Sequence, residues 1–354
     1  MEVKNWSYED FPEWTDLPEK SDRLETTGDE PGTYYVPDVE YAVVDGIPLH
    51  LQILMPLSRN HPADPHPCVV YVQGSGWMEQ DCYHNVGRIA HLAERGYVVV
   101  IVQYRHSGQA GFPAQIQDAR NAVRFMRVHA KEYYVNPDRI FLAGSSSGGH
   151  TAVFAALAGP DDCTEEGLVF PDSDFRLDEK YYSYPEDAFG NEGRNEEKRV
   201  CFDRNLYPGV SAGVLGVIDL YGCVSVRFED DFPTLTPRGA EGGMDTSFLS
   251  HIPEEERRGI ERRASAVCWI TKETDMVPVF IIHGTKDRIV NTRQSAELYQ
   301  ALRASGNECE FHLLGGADHG GPEFWMPGVV ELEDRFLRKV LAHSASYSSS
   351  KAPV

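Results

Sequence analysis

An apolar run, Ile140-Phe141-Leu142-Ala143, ends at Gly144-Ser145-Ser146-Ser147-Gly148-Gly149, and a helical pattern follows through Ala158. A strand that becomes a helix across so short a turn has to sit in a sheet with that helix packed back on it. Gly144 and Gly148 suit the bend because backbone segments there approach too closely for a Cβ. Such a turn holds its central serine in strained geometry and lifts the hydroxyl above the sheet edge. The helix N-terminus behind it adds a positive dipole and a free N–H, that of Ser147. A Gly/Ser-rich turn without chemistry is the plain alternative, and the strand and helix flanks argue against it. Ser145 and Ser147 are rival nucleophiles, but their positions turn the side chains elsewhere.

The rest of the chain fits the same plan. Val39–Val44 and Leu49–Met55 alternate apolar and polar residues around Asp45-Gly46, a hairpin signal. Buried-strand runs follow at Cys68–Val72, Tyr97–Val102, Arg139–Ala143, Val214–Leu220 and Val277–His283, with a more alternating strand at Glu308–Leu314. Helical patterns lie between them, at Asn85–Arg95, Pro113–Tyr134, Gly148–Ala158, Thr292–Ser305 and Val329–Ala342. This order predicts an α/β fold, a mostly parallel central sheet flanked by helices on both faces. Two connections, about 159–213 and 223–276, exceed a plain crossover and read as cap insertions. Both leave the sheet beside Val214–Leu220, at the edge where open α/β sheets bind ligands.

Residues 1–38 read as an N-terminal arm, 39–342 as one domain, and the Ser-rich 343–354 as a disordered tail. The arm is acidic but holds Trp6, Tyr8, Phe11 and Trp14, so it is expected to pack on the body, over the pocket or on a second subunit. The net charge of -22 argues against nucleic acid or an anionic membrane as partner. Residues 1–40 hold 12 acidic against 3 basic side chains, and residues 159–212 hold 14 against 6. This charge reads as solvated peripheral surface. No run approaches the length of a membrane span, and the N-terminus shows no apolar leader, so a cytoplasmic location is expected. The cysteines are 7 and scattered without a CxxC spacing, which reads as buried free thiols.

Four blocks carry a resemblance to a known family: Val69–Trp77, Phe112–Ala158, Val279–Val290 and Gly315–Gly320. Over roughly residues 40–342 the chain resembles an α/β-hydrolase of the hormone-sensitive-lipase and feruloyl-esterase-like type. The resemblance implies the α/β-hydrolase fold with cap insertions and a Ser-Asp-His triad in that chain order. A serine hydroxyl needs an imidazole to take its proton, and the imidazole needs a carboxylate to fix its tautomer. Ser146 matches the family's nucleophile. Asp287, in the loop after Val279–His283, matches its acid, and His319, in Gly315-Gly316-Ala317-Asp318-His319-Gly320, matches its base. Asp318 is the runner-up acid, but it adjoins His319 and reaches its far nitrogen poorly. His283 ends a strand and reads as structural.

The loop Gln73-Gly74-Ser75-Gly76-Trp77 stands where the family has His-Gly-Gly-Gly-Trp. Backbone N–H groups of Ser75 and Gly76, with that of Ser147, are the expected oxyanion donors. Trp77 and Tyr104 are candidate substrate-binding residues. Gln103 stands where relatives carry Asp, and the caps offer aromatics at Tyr181, Tyr182, Tyr184 and Phe228–Phe232.

The resulting expectation is a serine carboxylesterase for small soluble esters, such as acetylated sugars, hydroxycinnamoyl esters or short acyl esters. It needs no metal or organic cofactor and takes a small-molecule ester as its partner. The same triad also serves an amidase, an arylformamidase or an exopeptidase, and a non-catalytic hydrolase-fold binding protein is the third reading. The resemblance allows a homodimer, for which the sequence shows no interface pattern.

Overall fold

The computed structural model describes residues 5–60, 64–159, 168–169, 199–226, 235, 248, 261 and 263–349, with 345–349 as backbone only. Its strands are β1 (Gly32–Val44), β2 (Ile47–Leu57), β3 (His66–Val72), β4 (Val98–Val102), β5 (Val135–Ser145), β6 (Leu168–Val169), β7 (Arg199–Val200), β8 (Val217–Leu220), β9 (Val279–Gly284) and β10 (Cys309–Leu314). Its helices are α1 (Val86–Ala93), α2 (Ala114–Val128), α3 (Ser147–Leu157), α4 (Arg293–Ala304) and α5 (Pro327–Ser349). Eight strands form one sheet in the order β1-β2-β4-β3-β5-β8-β9-β10, and β6 pairs with β7 as a separate ribbon. β1–β2 and β2–β4 are antiparallel, and every pairing from β4 to β10 is parallel.

The near-continuous apolar strands are explained by burial on both faces. In β4, Val98, Val100 and Val102 join one core while Val99 and Ile101 join the other. Ala119 and Val123 of α2, Ala152 of α3 and Leu298 of α4 pack on the first face. Ile89 and Leu92 of α1 and Phe336 and Leu337 of α5 pack on the second. Each valine, leucine, isoleucine or phenylalanine side chain among these, taken fully out of water, stabilises the fold by about 1.5–3 kcal/mol. The doubly covered sheet with a leading antiparallel hairpin is the α/β-hydrolase fold.

Two boundaries differ from the sequence reading. β1 begins at Gly32, so Thr33–Val36 pair with Pro56–Ile53 and belong to the sheet, not to an arm. The pattern breaks at Pro37, which has no N–H to give, and at Asp38, whose φ is 53°. That irregularity hid the first half of the strand. The remaining arm aromatics are exposed, Trp14 at 67%, although Arg59 stacks 4.7 Å over the ring of Tyr8. α5 runs on to Ser349, past the expected end at 342, because neither glycine nor proline interrupts residues 329–349.

Most of the two expected caps, including Tyr181, Tyr182, Tyr184 and Phe228–Phe232, lies outside the described residues. Where the first excursion returns, Asp203 accepts from both Arg124 Nη1 (2.6 Å) and Arg124 Nη2 (2.5 Å), which anchors it on α2. The six described cysteines are free thiols, and among the described residues no helix is long and apolar enough to cross a membrane.

Asp219 of β8 lies fully buried beneath the turn at Gly149, and burial pushes its carboxyl up to about 7. Its folded-state value is raised above the ordinary carboxylate value of 3.8, so the native chain binds the extra proton. Its contribution to stability is therefore greatest at low pH and falls as pH rises through that interval, by at most roughly 1.4 kcal/mol per unit. Asp219→Asn should raise the thermal midpoint, and by more at pH 8 than at pH 5. An equal change at both pH values in a thermal melt contradicts this account.

Candidate active site

β5 feeds directly into α3 through Ser146, whose φ of 53° and ψ of -125° are the strained values of a nucleophile turn. The strain is held by backbone bonds on both sides. Ser146 N–H donates to Leu220 O (2.9 Å), and Ser146 O accepts from His150 N and Cys223 N (3.2 Å each). A Cβ on Gly148 would overlap the carbonyl of Val72, and one on Gly144 would overlap Gly148. Both glycines are required by this close approach, as the sequence implied.

The loops after β9 and β10 bring the other two candidates to the same edge. Ser146 Oγ lies 2.8 Å from His319 Nε2, and His319 Nδ1 lies 2.7 Å from Asp287 Oδ2. Asp287 Oδ1 accepts from the N–H groups of Ile289 and Val290, at 2.8 Å each. Burial raises the Asp287 pKa, but hydrogen bonds from His283 and His319 and the charge of those rings outweigh it and hold the carboxyl well below the usual range. An ionised Asp287 fixes the proton of His319 on Nδ1 and leaves the Nε2 lone pair facing the serine hydroxyl. Asp318, the runner-up acid, is instead engaged by Arg288 Nε at 2.7 Å.

His283 does more than end a strand. Its Nε2 lies 3.0 Å from Asp287 Oδ2 and 3.0 Å from Val290 O, both acceptors, so Nε2 carries the proton. Its Nδ1 then accepts from the Ser295 hydroxyl at 2.7 Å. His283 is thus a further donor to Asp287, the candidate acid, and bears on His319 through it. The sequence signal for it was a histidine at the strand end four residues before the acid.

The oxyanion loop agrees with expectation only in part. Gly76, with φ 63°, and Ser147, first residue of α3, have no acceptor for their N–H groups among the described residues. Ser75 N–H, the third expected donor, instead donates to Ser147 Oγ at 3.0 Å. The hydroxyl of Ser147 reaches across the gap between the two strand ends and occupies it. Ser75 takes an ordinary negative φ, so serine there is unstrained; the left-handed angles fall on Gly76 and Trp77.

Trp77 and Tyr104 are corrected as substrate-binding residues. Trp77 is fully buried and stacks on Phe248 with ring centroids 4.0 Å apart. Its φ of 58° turns the side chain down into the core rather than up to the cleft. Tyr104 is also buried, and its hydroxyl lies 3.0 Å from Ser75 Oγ, beneath the loop. Gln103 accepts from His50 N–H at 3.0 Å and so braces β2 rather than a pocket wall.

A cavity of about 480 Å³ opens over Ser146 and His319, and Gln73, His84, Asn85, Arg88, Tyr221 and Ile289 line it. Tyr221 was missed although it directly follows Leu220 at the predicted ligand edge; its ring meets His319 edge-on at 4.9 Å. His84, Asn85 and Arg88 gave no signal, because a polar face of a short helix reads as solvated surface. Among the described residues no group of three His, Cys, Asp or Glu is placed to hold a metal ion.

The sheet, the strained serine turn and the Ser-Asp-His line together define an α/β-hydrolase. The BD-FAE family model matches residues 51–302, and the chain belongs to that family. Among curated proteins it is 24% identical over 248 residues to "Esterase LipQ" of Mycobacterium tuberculosis (strain ATCC 25618 / H37Rv), covering 68% of this chain and 46% of that one. It is 32% identical over 300 residues to "Probable isoprenylcysteine alpha-carbonyl methylesterase ICMEL1" of Arabidopsis thaliana, covering 81% and 52%. The chain thus spans about half the length of these curated relatives. Among solved structures, "Truncated form of carbohydrate esterase from gut microbiota" superposes with a TM-score of 0.68 at 22% identity, covering 89% of this chain and 98% of that one. Native Est2, an esterase of Thermogutta terrifontis, superposes at 0.57 with 24% identity, covering 88% and 93%.

A fluorophosphonate probe should label Ser146 and leave Ser146→Ala unmodified, as read by mass spectrometry. In Asp287→Asn an amide N–H would face His319 Nδ1 and turn the ring's proton toward the serine. Labelling should then slow on the order of 10³–10⁴-fold. Labelling of that variant at the wild-type rate contradicts the assigned roles.

Proposed function

We propose that this chain is a serine carboxylesterase that hydrolyses small esters through an acyl-enzyme on Ser146. The observation that carries the reading is the unbroken hydrogen-bonded line from Ser146 through His319 to Asp287, opening into the cavity. The esterase names of the curated relatives support it.

In this reading Ser146 Oγ attacks the ester carbonyl while His319 Nε2 takes its proton. The carbonyl oxygen becomes an oxyanion held by the N–H groups of Gly76 and Ser147. Each such donor is worth about 3 kcal/mol of barrier. Rotation of the Ser147 hydroxyl would release Ser75 N–H as a third donor. His319 then protonates the departing alcohol, and water, deprotonated by the same imidazole, releases the acid. Tyr221, whose ring meets His319 edge-on at 4.9 Å and is backed by Phe324 at 4.3 Å, covers one side of the imidazole. The cavity suits an acetylated sugar, a hydroxycinnamoyl ester or a short acyl ester better than a long lipid chain.

The purified protein should hydrolyse para-nitrophenyl acetate, and Ser146→Ala should lower kcat on the order of a millionfold. Equal turnover in that variant defeats the assignment. A matched anilide should be turned over far more slowly than the ester; the opposite order would make the protein an amidase or arylformamidase with the same triad.

A further inference from the structure

Arg88 is placed unlike the arginines that serve the fold. In a chain of 55 acidic and 33 basic side chains, many of the described guanidinium groups pair with carboxylates. Arg105 meets Asp118, Arg124 meets Asp203, Arg204 meets Asp45 and Arg338 meets Asp334. Arg88 lines the cavity that holds Ser146, and among the described residues no carboxylate lies within ion-pair distance of it. Its Nη1 donates to Asn85 Oδ1 (3.2 Å) and approaches His84 Nε2 (3.4 Å). Its Nε and Nη2 meet no acceptor among the described residues.

Helix stability does not explain this side chain. Arg88 is the third residue of α1, whose first turn carries no acidic residue. A cation there opposes the helix dipole, where an acid would be favoured. The guanidinium is held toward the cavity by Asn85, which is itself fixed by donating to Tyr71 Oη (3.4 Å) and Gln73 Oε1 (3.3 Å). Gln73 in turn belongs to the oxyanion loop. The cation is therefore tied through two side chains to the segment that faces the reacting carbonyl, with half its fork left open.

We infer that Arg88 is a specificity residue that binds a carboxylate carried by the substrate, so that the preferred esters are anionic. The inference rests on the esterase reading above and narrows its substrate class. A guanidinium fork matches a carboxylate with two parallel hydrogen bonds, and the α1 N-terminus beside it favours the same charge. The chain's overall negative charge makes such a local cation necessary for an anionic substrate to stay in the cleft. His84 Nδ1, with Nε2 turned toward Arg88, supplies one more donor on the same wall.

Two matched pairs test this: para-acetoxybenzoate against phenyl acetate, with the carboxylate on the alcohol side, and the para-nitrophenyl half-ester of adipate against para-nitrophenyl hexanoate, with it on the acyl side. The readout is the anionic-to-neutral ratio of kcat/KM within each pair. At least one ratio should exceed one by roughly tenfold in the wild type, and Arg88→Gln should lower it about 10- to 100-fold. Arg88→Lys should retain part of the preference, because it keeps the charge and loses the fork. High salt should lower the wild-type ratio in the same direction. Ratios at or below one in both pairs, or a ratio that Arg88→Gln leaves in place, overturn the inference while neutral-ester turnover still upholds the esterase. Loss of turnover on all four esters in the wild type overturns both, and is told apart by that loss on the neutral members.

Discussion

The close approach of Gly148 to the carbonyl of Val72 is the contact on which the site depends. It follows from the parallel register that sets Val72 of β3 opposite Gly144 of β5. With that register, the loop leaving β3 and the turn leaving β5 emerge side by side at one sheet edge. Ser146 and the N–H groups of Gly76 and Ser147 are then neighbours by construction. Gly74 N–H donates to Ser145 Oγ at 3.1 Å, and Gly74 packs on the Ser145 carbonyl so tightly that a Cβ would not fit. One residue of slip between β3 and β5 would turn one strand's side chains to the opposite face of the sheet and separate these groups. The apolar runs that bury both faces therefore also fix the chemistry.

The positions of Asp287 and His319 are set by a second register, that of β9 with β10. Leu314 stands opposite Gly284, so the loops carrying Asp287 and His319 start level with each other. A buried carboxylate is costly unless its oxygens are satisfied. Asp287 is satisfied by two backbone N–H groups and by two imidazoles, and each of those bonds also orients it. Ionisation and orientation therefore come from the same contacts. Asp219 lies deeper in the same sheet, where burial outweighs the backbone N–H of Gly222, and its pKa moves the opposite way. An aspartate on β8 and another in the loop after the neighbouring β9 thus take opposite protonation behaviour from their surroundings.

The sheet, its helices and the three members of the candidate triad were legible because each rests on a local rule. Runs of valine and isoleucine mark strands, and glycines at 144 and 148 mark a turn too tight for side chains. Asp287 and His319 were legible through the resemblance of the loops that carry them to the family's acid and base loops, which set them apart from Asp318 and His283. Trp77 and Tyr104 were misread because their direction depends on backbone angles, such as the positive φ at Trp77, that residue type does not reveal. The first half of β1 was missed because Pro37 and Asp38 interrupt its alternation. Arg88 was invisible for a different reason. Its meaning lies in the absence of a nearby carboxylate among the described residues, and only a three-dimensional arrangement shows which charges are left unmatched.

The serine and glutamine of the oxyanion loop show how a departure from a glycine-rich pattern is accommodated. Ser75 Oγ donates to Met78 O at 2.6 Å, which leaves its lone pairs for the Tyr104 hydroxyl at 3.0 Å. Gln73 Nε2 donates to Asp81 O at 2.5 Å, closing the other side of the loop. Glycines at these positions would have no side chain to make such bonds, and their backbone freedom would have to be lost on binding substrate. Here the loop is already ordered by its own polar side chains before any ester arrives. Donors fixed in advance stabilise charge without reorganising at the moment it develops, which is where electrostatic catalysis gains most. The buried Trp77 completes this arrangement, because the strained angle at its Cα persists only while its indole stays locked against Phe248.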